Sequence, residues 1–398
     1  MIVRRPTVAV HAVDFDHLWN TAAALGLPVA AWRYPQEQTQ HLIADLAGEP
    51  LVGSPDLESW PAGFAVAPFE GKSARLIRAD LHFKSEGGVV RSLSAGAAVQ
   101  NFTEELHRVK TRADASPWPP MCTDRLIPTH GPEHYQAGVR AAVKAIRGGA
   151  FQKVVLSRTK TVNLSADTTP VEIFQRLCDT YPTAFVSLFY LPGEGIWVGA
   201  TPELLVSVAG ARFKTMSLAG TQPARPGETE AEVRWGQKEI EEQALVSRYV
   251  VDCFKRIRLR EFEEVGPRTV RAGNLFHLRT DFTVDMRSTN FGELGTTMLR
   301  LLHPTSAVCG QPKEVAQRFI GWHEGYDRSF YSGYLGPVNV ESASRLFVNL
   351  RCLQLRAHPD GRHVATLYAG AGLTTDSAPS KEWQETELKY ETLLRVLR

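Results

Sequence analysis

Near its C-terminal end the chain reads Tyr368-Ala-Gly-Ala-Gly-Leu-Thr-Thr-Asp376-Ser-Ala-Pro379, then Ser380-Lys-Glu382-Trp-Gln-Glu385-Thr-Glu-Leu-Lys389. Glu382, Glu385 and Lys389 are spaced i, i+3, i+7, so one helix face carries two carboxylates and an ammonium. The paired glycines lack Cβ atoms and let backbone come close to a ligand. Carboxylate oxygens suit a hard divalent cation. Together these residues describe a site for a small anion bridged to protein by Mg²⁺. A surface helix with Glu/Lys pairs behind a glycine turn would account for them too.

Two other segments carry candidate acid–base groups. In Gly199-Ala-Thr-Pro202-Glu203-Leu-Leu205 a glutamate stands between a proline and an apolar run. Burial there would raise its pKa and suit it to donate a proton, whereas a strand-edge position would leave it in solvent. In Phe151-Gln-Lys153-Val-Val-Leu-Ser157-Arg158 a lysine sits in an apolar strand. It reads as a base with a lowered pKa, or as a lysine snorkelling from an edge strand. Nucleophile elbow, HExxH and phosphate-loop patterns are absent from the sequence.

These residues need elements to hold them. Strand 151–158 places Lys153, Val155 and Ser157 on one face. Segments 184–190 and 195–199 form a hairpin turned by Pro192-Gly193. A helix is expected over 133–147, stopped by Gly148-Gly149, and one long helix over 229–258. Further strands are expected at 76–83, 275–284, 333–340, 346–356 and 363–369. A polar, proline-rich linker is expected at 113–132. The strands cluster in adjacent runs rather than in strict βαβ alternation, which predicts an α+β fold with large antiparallel sheets.

The 398 residues are 43% hydrophobic and 22% charged, ordinary for a soluble globular protein. A net charge of +2 leaves no electrostatic footprint for nucleic acid. An apolar run of 18 residues, the minimum for a membrane-spanning helix, does not occur. The N-terminal Met-Ile-Val-Arg-Arg-Pro stretch reads as mature protein rather than a leader. Five scattered cysteines without a CxxC fit free thiols in a reducing cytoplasm.

Taken in order, the segments resemble one known family. They are Lys153-Val-Val-Leu-Ser-Arg158, Gly199-Ala-Thr-Pro-Glu-Leu-Leu205, Ser217-Leu-Ala-Gly220-Thr221 and Lys238-Glu-Ile-Glu-Glu242. Then come Leu302-His-Pro-Thr305-Ser-Ala-Val-Cys-Gly310-Gln-Pro312, Tyr326-Asp327-Arg328, Ala369-Gly-Ala-Gly372 and Glu382-Trp-Gln-Glu385-Thr386. This series resembles the chorismate-utilising enzymes, which include isochorismate, anthranilate, aminodeoxychorismate and salicylate synthases. The resemblance runs from about residue 133 to the C-terminus and is loose before that, around 63–69. It implies a region 121–398 that binds chorismate and performs catalysis, with 1–120 a less recognisable part of the same fold. It also implies two large antiparallel sheets packed face to face with helices outside.

Lys153 and the His303-Pro-Thr segment resemble the isochorismate synthase branch. The implied activity is an isomerase (hydroxymutase) reaction, with water adding at C2 of chorismate and the C4 hydroxyl leaving. The resemblance makes Lys153 the base for water, Glu203 the acid, and His277 a site residue near the departing hydroxyl. Glu242 and Glu385 match Mg²⁺ ligands, with Glu382 holding a metal-bound water. Arg351 matches the arginine that forks onto the enolpyruvyl carboxylate. Gly220, Thr221, Gly370, Gly372 and Lys389 surround the other carboxylate. Where relatives have Arg-x-Glu-His around Glu242, this chain has Ile240 and Gln243. Alternatives are a salicylate synthase, which adds pyruvate elimination, and a non-catalytic chorismate-binding protein. The expected product is isochorismate for menaquinone or siderophore biosynthesis. The expected protein is cytoplasmic, a monomer or weak dimer without a glutaminase subunit, nucleic acid or membrane partner.

Overall fold

The structure is a computed structural model that describes residues 8–9, 14–71, 73–94, 96–110, 118–119, 127–357 and 362–398. Most of the expected 113–132 linker, the 120/121 boundary, Cys122 and most of the N-terminal stretch lie outside the described residues. Two antiparallel sheets dominate, one of eleven strands and one of nine. The α+β expectation of large antiparallel sheets holds. Residues 1–120 contribute strands to both sheets: Val29–Arg33, Gln40–Ala44 and Leu81–Glu86 to the larger, Gly63–Ala67 and Ala74–Arg78 to the smaller.

The sheets face each other across an aromatic layer. Trp32, Phe185, Phe189 and Trp197 come from the eleven-stranded sheet, and Phe64, Ile77, Leu335 and Phe347 from the nine-stranded one. Phe185 and Phe347 stack across this interface with ring centroids 4.0 Å apart. Each outer face is covered by helices, because a sheet apolar on both sides must bury both. Phe15–Ala24, Pro170–Thr180 and Pro379–Leu397 pack on the larger sheet. Gln237–Arg256 and Leu294–Leu302 pack on the smaller. Helices Pro132–Arg147 and Lys313–His323 flank the strand Lys153–Asn163. Among the described residues no helix is long and apolar enough to cross a membrane.

The hairpin forms as expected, Phe185–Leu191 pairing with Gly195–Thr201 across a turn with Gly193 at φ +78°. The helix expected over 229–258 is shorter, Gln237–Arg256. Upstream, Glu228 and Glu232 side chains accept from the Arg225 and Thr229 amides and hold turns instead. The helix starts at Gly236, whose amide donates to the Glu239 carboxylate at 3.0 Å.

Two expected strands are each two strands. Residues 76–83 split into Ala74–Arg78 in the smaller sheet and Leu81–Glu86 in the larger. Residues 346–356 split into Ala343–Val348 and Cys352–Ala357, again one in each sheet, with Arg351 at φ +48° in the corner between. Gly195–Thr201 and Leu204–Ala209 make a parallel change of sheet at Pro202-Glu203. The two corners are bonded side by side. Ala200 N donates to Arg351 O at 3.0 Å, Val348 N to Glu203 O at 2.9 Å, and Thr201 Oγ1 to Val348 O at 2.6 Å.

Removing the ring at the centre of the intersheet layer tests how much that layer holds. Phe347→Ala should cost about 3–5 kcal/mol of stability, read as a lower urea midpoint. A midpoint equal to that of the parent would mean that the facing aromatics do not hold the sheets together.

Candidate active site

The paired corners put Glu203 and Arg351 next to each other at the seam between the sheets. A cavity of about 70 Å³ opens there, and its walls include Glu203, Gly220, Thr221, Glu242, His277, Arg351, Gly370, Gly372 and Lys389. Nine sequence-nominated residues therefore meet in one place. Lys153 and Glu385 are ion-paired to the wall residues Glu242 and Lys389, and Glu382 is paired to Lys238.

Lys153 begins the strand Lys153–Asn163, which pairs with His363–Leu373 so that Val155 lies opposite Gly372. Its side chain has no exposed surface, and Nζ lies 3.0 Å from Glu242 Oε1. The contact is an ion pair without directed hydrogen-bond geometry, and Nζ has no hydrogen-bond partner. The snorkelling alternative for this lysine therefore fails. Gly372 makes room for the pair: a Cβ there would fall 2.1 Å from Glu242 Oε1 and 3.1 Å from Lys153 Cε.

Helices Gln237–Arg256 and Pro379–Leu397 bring their N-terminal turns to the cluster, and Glu382, in the first turn of the second, is favoured there by the helix N-terminus. Lys238 Nζ donates to Glu382 Oε1 at 2.7 Å. Lys389 Nζ donates to Glu385 Oε1 at 2.7 Å and to Gly370 O at 2.6 Å. Burial opposes ionisation of Glu242, but the Lys153 and Lys238 ammoniums outweigh it and hold the carboxyl below its ordinary value. Burial, and then the Glu385 carboxylate, push Glu382 up.

Three carboxylates facing lysines fit the oxygen preference of Mg²⁺, which keeps several waters and needs few protein ligands. Glu382 Oε2 is buried without a hydrogen-bond partner, the kind of oxygen that a metal-bound water would satisfy. Among the described residues no three His, Cys, Asp or Glu groups form a cage, so such an ion would rely on water for the rest of its shell.

Glu203 is 3% exposed, and burial pushes its carboxyl to about 8 despite the opposing Lys153 and Arg351 charges. It is therefore an acid that keeps its proton near neutrality. His277 Nδ1 donates to Gly220 O at 2.8 Å, which leaves Nε2 as an acceptor 3.5 Å from Arg351 Nη2. Burial, then Arg351, lower His277 to about 3, so the ring is neutral. Arg351 is half-buried, and among the described residues no carboxylate stands within ion-pairing distance of it. A half-buried guanidinium in that condition is a draw for an anion.

Sequence reasoning passed over Lys238, although its i, i+4 relation to Glu242 puts both on one helix face. It also passed over the aromatic wall, Tyr331 and Tyr368 stacked at 5.2 Å. Of the two departures beside Glu242, Ile240 is 48% exposed. Gln243 is buried, its amide donating to Ser217 Oγ at 2.9 Å and Thr280 Oγ1 at 3.1 Å, which clamps the helix to the sheet.

Residues 89–398 match the chorismate binding enzyme family, and the chain belongs to that family. Among its relatives, isochorismate synthase EntC of Escherichia coli (strain K12) is 31% identical over 249 residues, 61% of this chain and 62% of that protein. The salicylate biosynthesis isochorismate synthase of Pseudomonas aeruginosa is 34% identical over 275 residues, 66% of this chain and 54% of that protein. The chain thus spans less than two thirds of the length of these two relatives. The solved structure of MenF, the menaquinone-specific isochorismate synthase from Escherichia coli, has the same fold. It gives a TM-score of 0.76 at 20% identity, covering 99% of this chain and 94% of that one. Anthranilate synthase component I from Streptococcus pneumoniae TIGR4 also shares the fold, with a TM-score of 0.67 at 17% identity, covering 100% and 93%.

Two outcomes follow from this geometry. In Gly372→Ala the atom in the way is the end of a flexible glutamate, so the fold should survive while Glu242 moves off Lys153. A crystal structure of the variant that keeps the 3.0 Å contact would contradict the packing described. Glu203 bears on stability. Its folded pKa of about 8 lies above the ordinary 4.5, so its contribution is full below about 4.5 and is lost as pH rises towards 8. Glu203→Gln should therefore gain stability over the parent as pH goes from 5 to 8, read from paired denaturation curves. A constant difference across that range would rule out the buried acid.

Proposed function

We propose that this protein is an isochorismate synthase, an isomerase converting chorismate to isochorismate with Mg²⁺. The observation that carries the reading is the gathering of these groups at one cavity. A half-buried Arg351, without an ion-pair partner among the described residues, offers countercharge for a carboxylate, a protonated Glu203 offers an acid, and Lys153, paired to Glu242, offers the base. The names of the relatives support the same activity.

In this reading chorismate lies with its enolpyruvyl carboxylate on Arg351. The ring carboxylate faces Lys389 and the backbone near Gly220, Thr221, Gly370 and Gly372. Lys153, an ammonium at rest beside Glu242, first releases a proton to solvent, and the free amine then takes a proton from water as the oxygen bonds to C2. The ring double bonds shift, the C4–O bond breaks, and Glu203 gives its proton to the departing hydroxyl. Water is consumed and water is released, and a proton returned from Lys153 to Glu203 through solvent resets the site, so the atoms balance as an isomerisation. Neutral His277 orients Arg351 through its Nε2 acceptor rather than supplying the proton itself. Glu242 and Glu385 would hold Mg²⁺, with Glu382 on a metal-bound water, and the ion would supply positive charge to the ring carboxylate.

Incubation with chorismate and Mg²⁺ should give isochorismate, the two approaching equilibrium from either side. Excess EDTA should abolish turnover, as should Glu385→Ala. Lys153→Ala and Glu203→Gln should each lower kcat by about 10²–10⁴-fold with smaller effects on KM. Arg351→Ala should chiefly raise KM. Because Glu203 must be protonated to act, kcat/KM should fall along a limb near pH 8. Stoichiometric release of pyruvate and salicylate would make the protein a salicylate synthase. Wild-type kcat in both the Lys153 and Glu203 variants would sink the mechanism.

A further inference from the structure

The 70 Å³ cavity is smaller than ligand-sized pockets, which run to roughly 300–1,000 Å³. A second cavity of about 480 Å³ shares Pro202, Leu218 and Arg351 with it as wall residues. Its wall carries Arg268, Arg271, Arg279 and Arg351 against a single acidic side chain, Glu230. The mechanism above uses only Arg351.

The three outer arginines come from one edge of the smaller sheet, strand Glu263–Ala272 and its neighbour Leu275–Asp285. Arg268 and Arg279 are direct cross-strand partners, an arrangement of like charges that costs the sheet stability. One carboxylate offsets the pair. Asp281 accepts from Arg268 at 2.7 Å and from Arg279 at 2.5 and 2.8 Å, leaving one positive charge in excess. Arg271 donates to Gly273 O and Glu228 O, both at 3.3 Å, and its guanidinium lies 5.4 Å from the Phe276 ring centre. Among the described residues no carboxylate ion-pairs with it. Counting Glu230 and Asp281 against the four arginines leaves this mouth at about +2, matching the net charge of the whole chain. A cleft of one sign concentrates ligands of the other and raises their rate of association.

We infer that this cavity is the route by which the anionic substrate reaches the site, and that Arg271 recruits it there. The inference rests on the chorismate reading for the identity of the dianion. Arg271 is a recruiting residue and touches no reacting atom, so its effect should appear in kcat/KM and in salt dependence, not in kcat.

The test measures chorismate turnover across a series of NaCl concentrations. It compares the parent, Arg271→Gln, Arg271→Lys and Lys255→Gln, the last removing an equal charge from the exposed far end of helix Gln237–Arg256. Arg271→Gln should lower kcat/KM by about tenfold at low salt, flatten its decline with salt and leave kcat unchanged. Arg271→Lys should restore most of the loss, and Lys255→Gln should keep the parental slope. A parental salt slope in Arg271→Gln, or an equal change in Lys255→Gln, overturns the route while leaving the activity in place. If the parent fails to turn over chorismate, the functional reading falls and takes the route with it.

Discussion

The buried charge cluster sets the terms for the rest of this molecule. Lys153 has no exposed surface, and Glu382 is buried as well. Charges in that position are tolerable only when held against partners in fixed geometry. The partners come from far apart in the chain: Lys153 meets Glu242, and Lys238 meets Glu382. Two strands, two helices and a glycine at 372 must therefore be brought together at once. The face-to-face sheets supply that rigidity, and the helices laid on their outer surfaces deliver the carboxylates.

The position of the site follows from a second constraint. Strands that leave one sheet and enter the other must turn a corner, and a corner frees side chains from the alternation of a pleat. Pro202-Glu203 and Leu350-Arg351 occupy two such corners, bonded to each other through Ala200, Thr201 and Val348. An acid and a guanidinium therefore face a common space without belonging to either sheet face. The φ of +48° at Arg351 is a strained backbone for a non-glycine residue, and the neighbouring hydrogen bonds hold it there.

Much of this was legible in the residues. The spacing of Glu382, Glu385 and Lys389 placed them on one helix face, whereas Pro202 before Glu203 left burial and a strand edge both open until the structure buried the carboxyl. The two sheet changes were not legible. Phe347 and Cys352 lie on either side of a corner yet both pack in the layer between the sheets. Apolar periodicity thus runs through the break, and a crossing looks like one continuous strand. Lys238 was hidden for a different reason. Its i, i+4 glutamate suggests a solvated helix pair, while its actual partner is 144 residues away.

Charge balance joins the site to its proposed ligands. With Glu203 protonated, Lys153, Lys238, Lys389 and Arg351 face Glu242, Glu382 and Glu385, an excess of one positive charge in a buried space. A dianion alone would turn that excess into a deficit of one, and a divalent cation alone would raise it to three. Arriving together they leave it unchanged. On the proposed reading, cation and substrate should therefore favour each other's binding, because each removes the desolvation penalty that the other would meet alone. The Glu242–Lys153 and Glu385–Lys389 pairs hold the carboxylates in place until then. The lysines that neutralise the resting site are thus also the groups that face the substrate once the carboxylates turn to another cation.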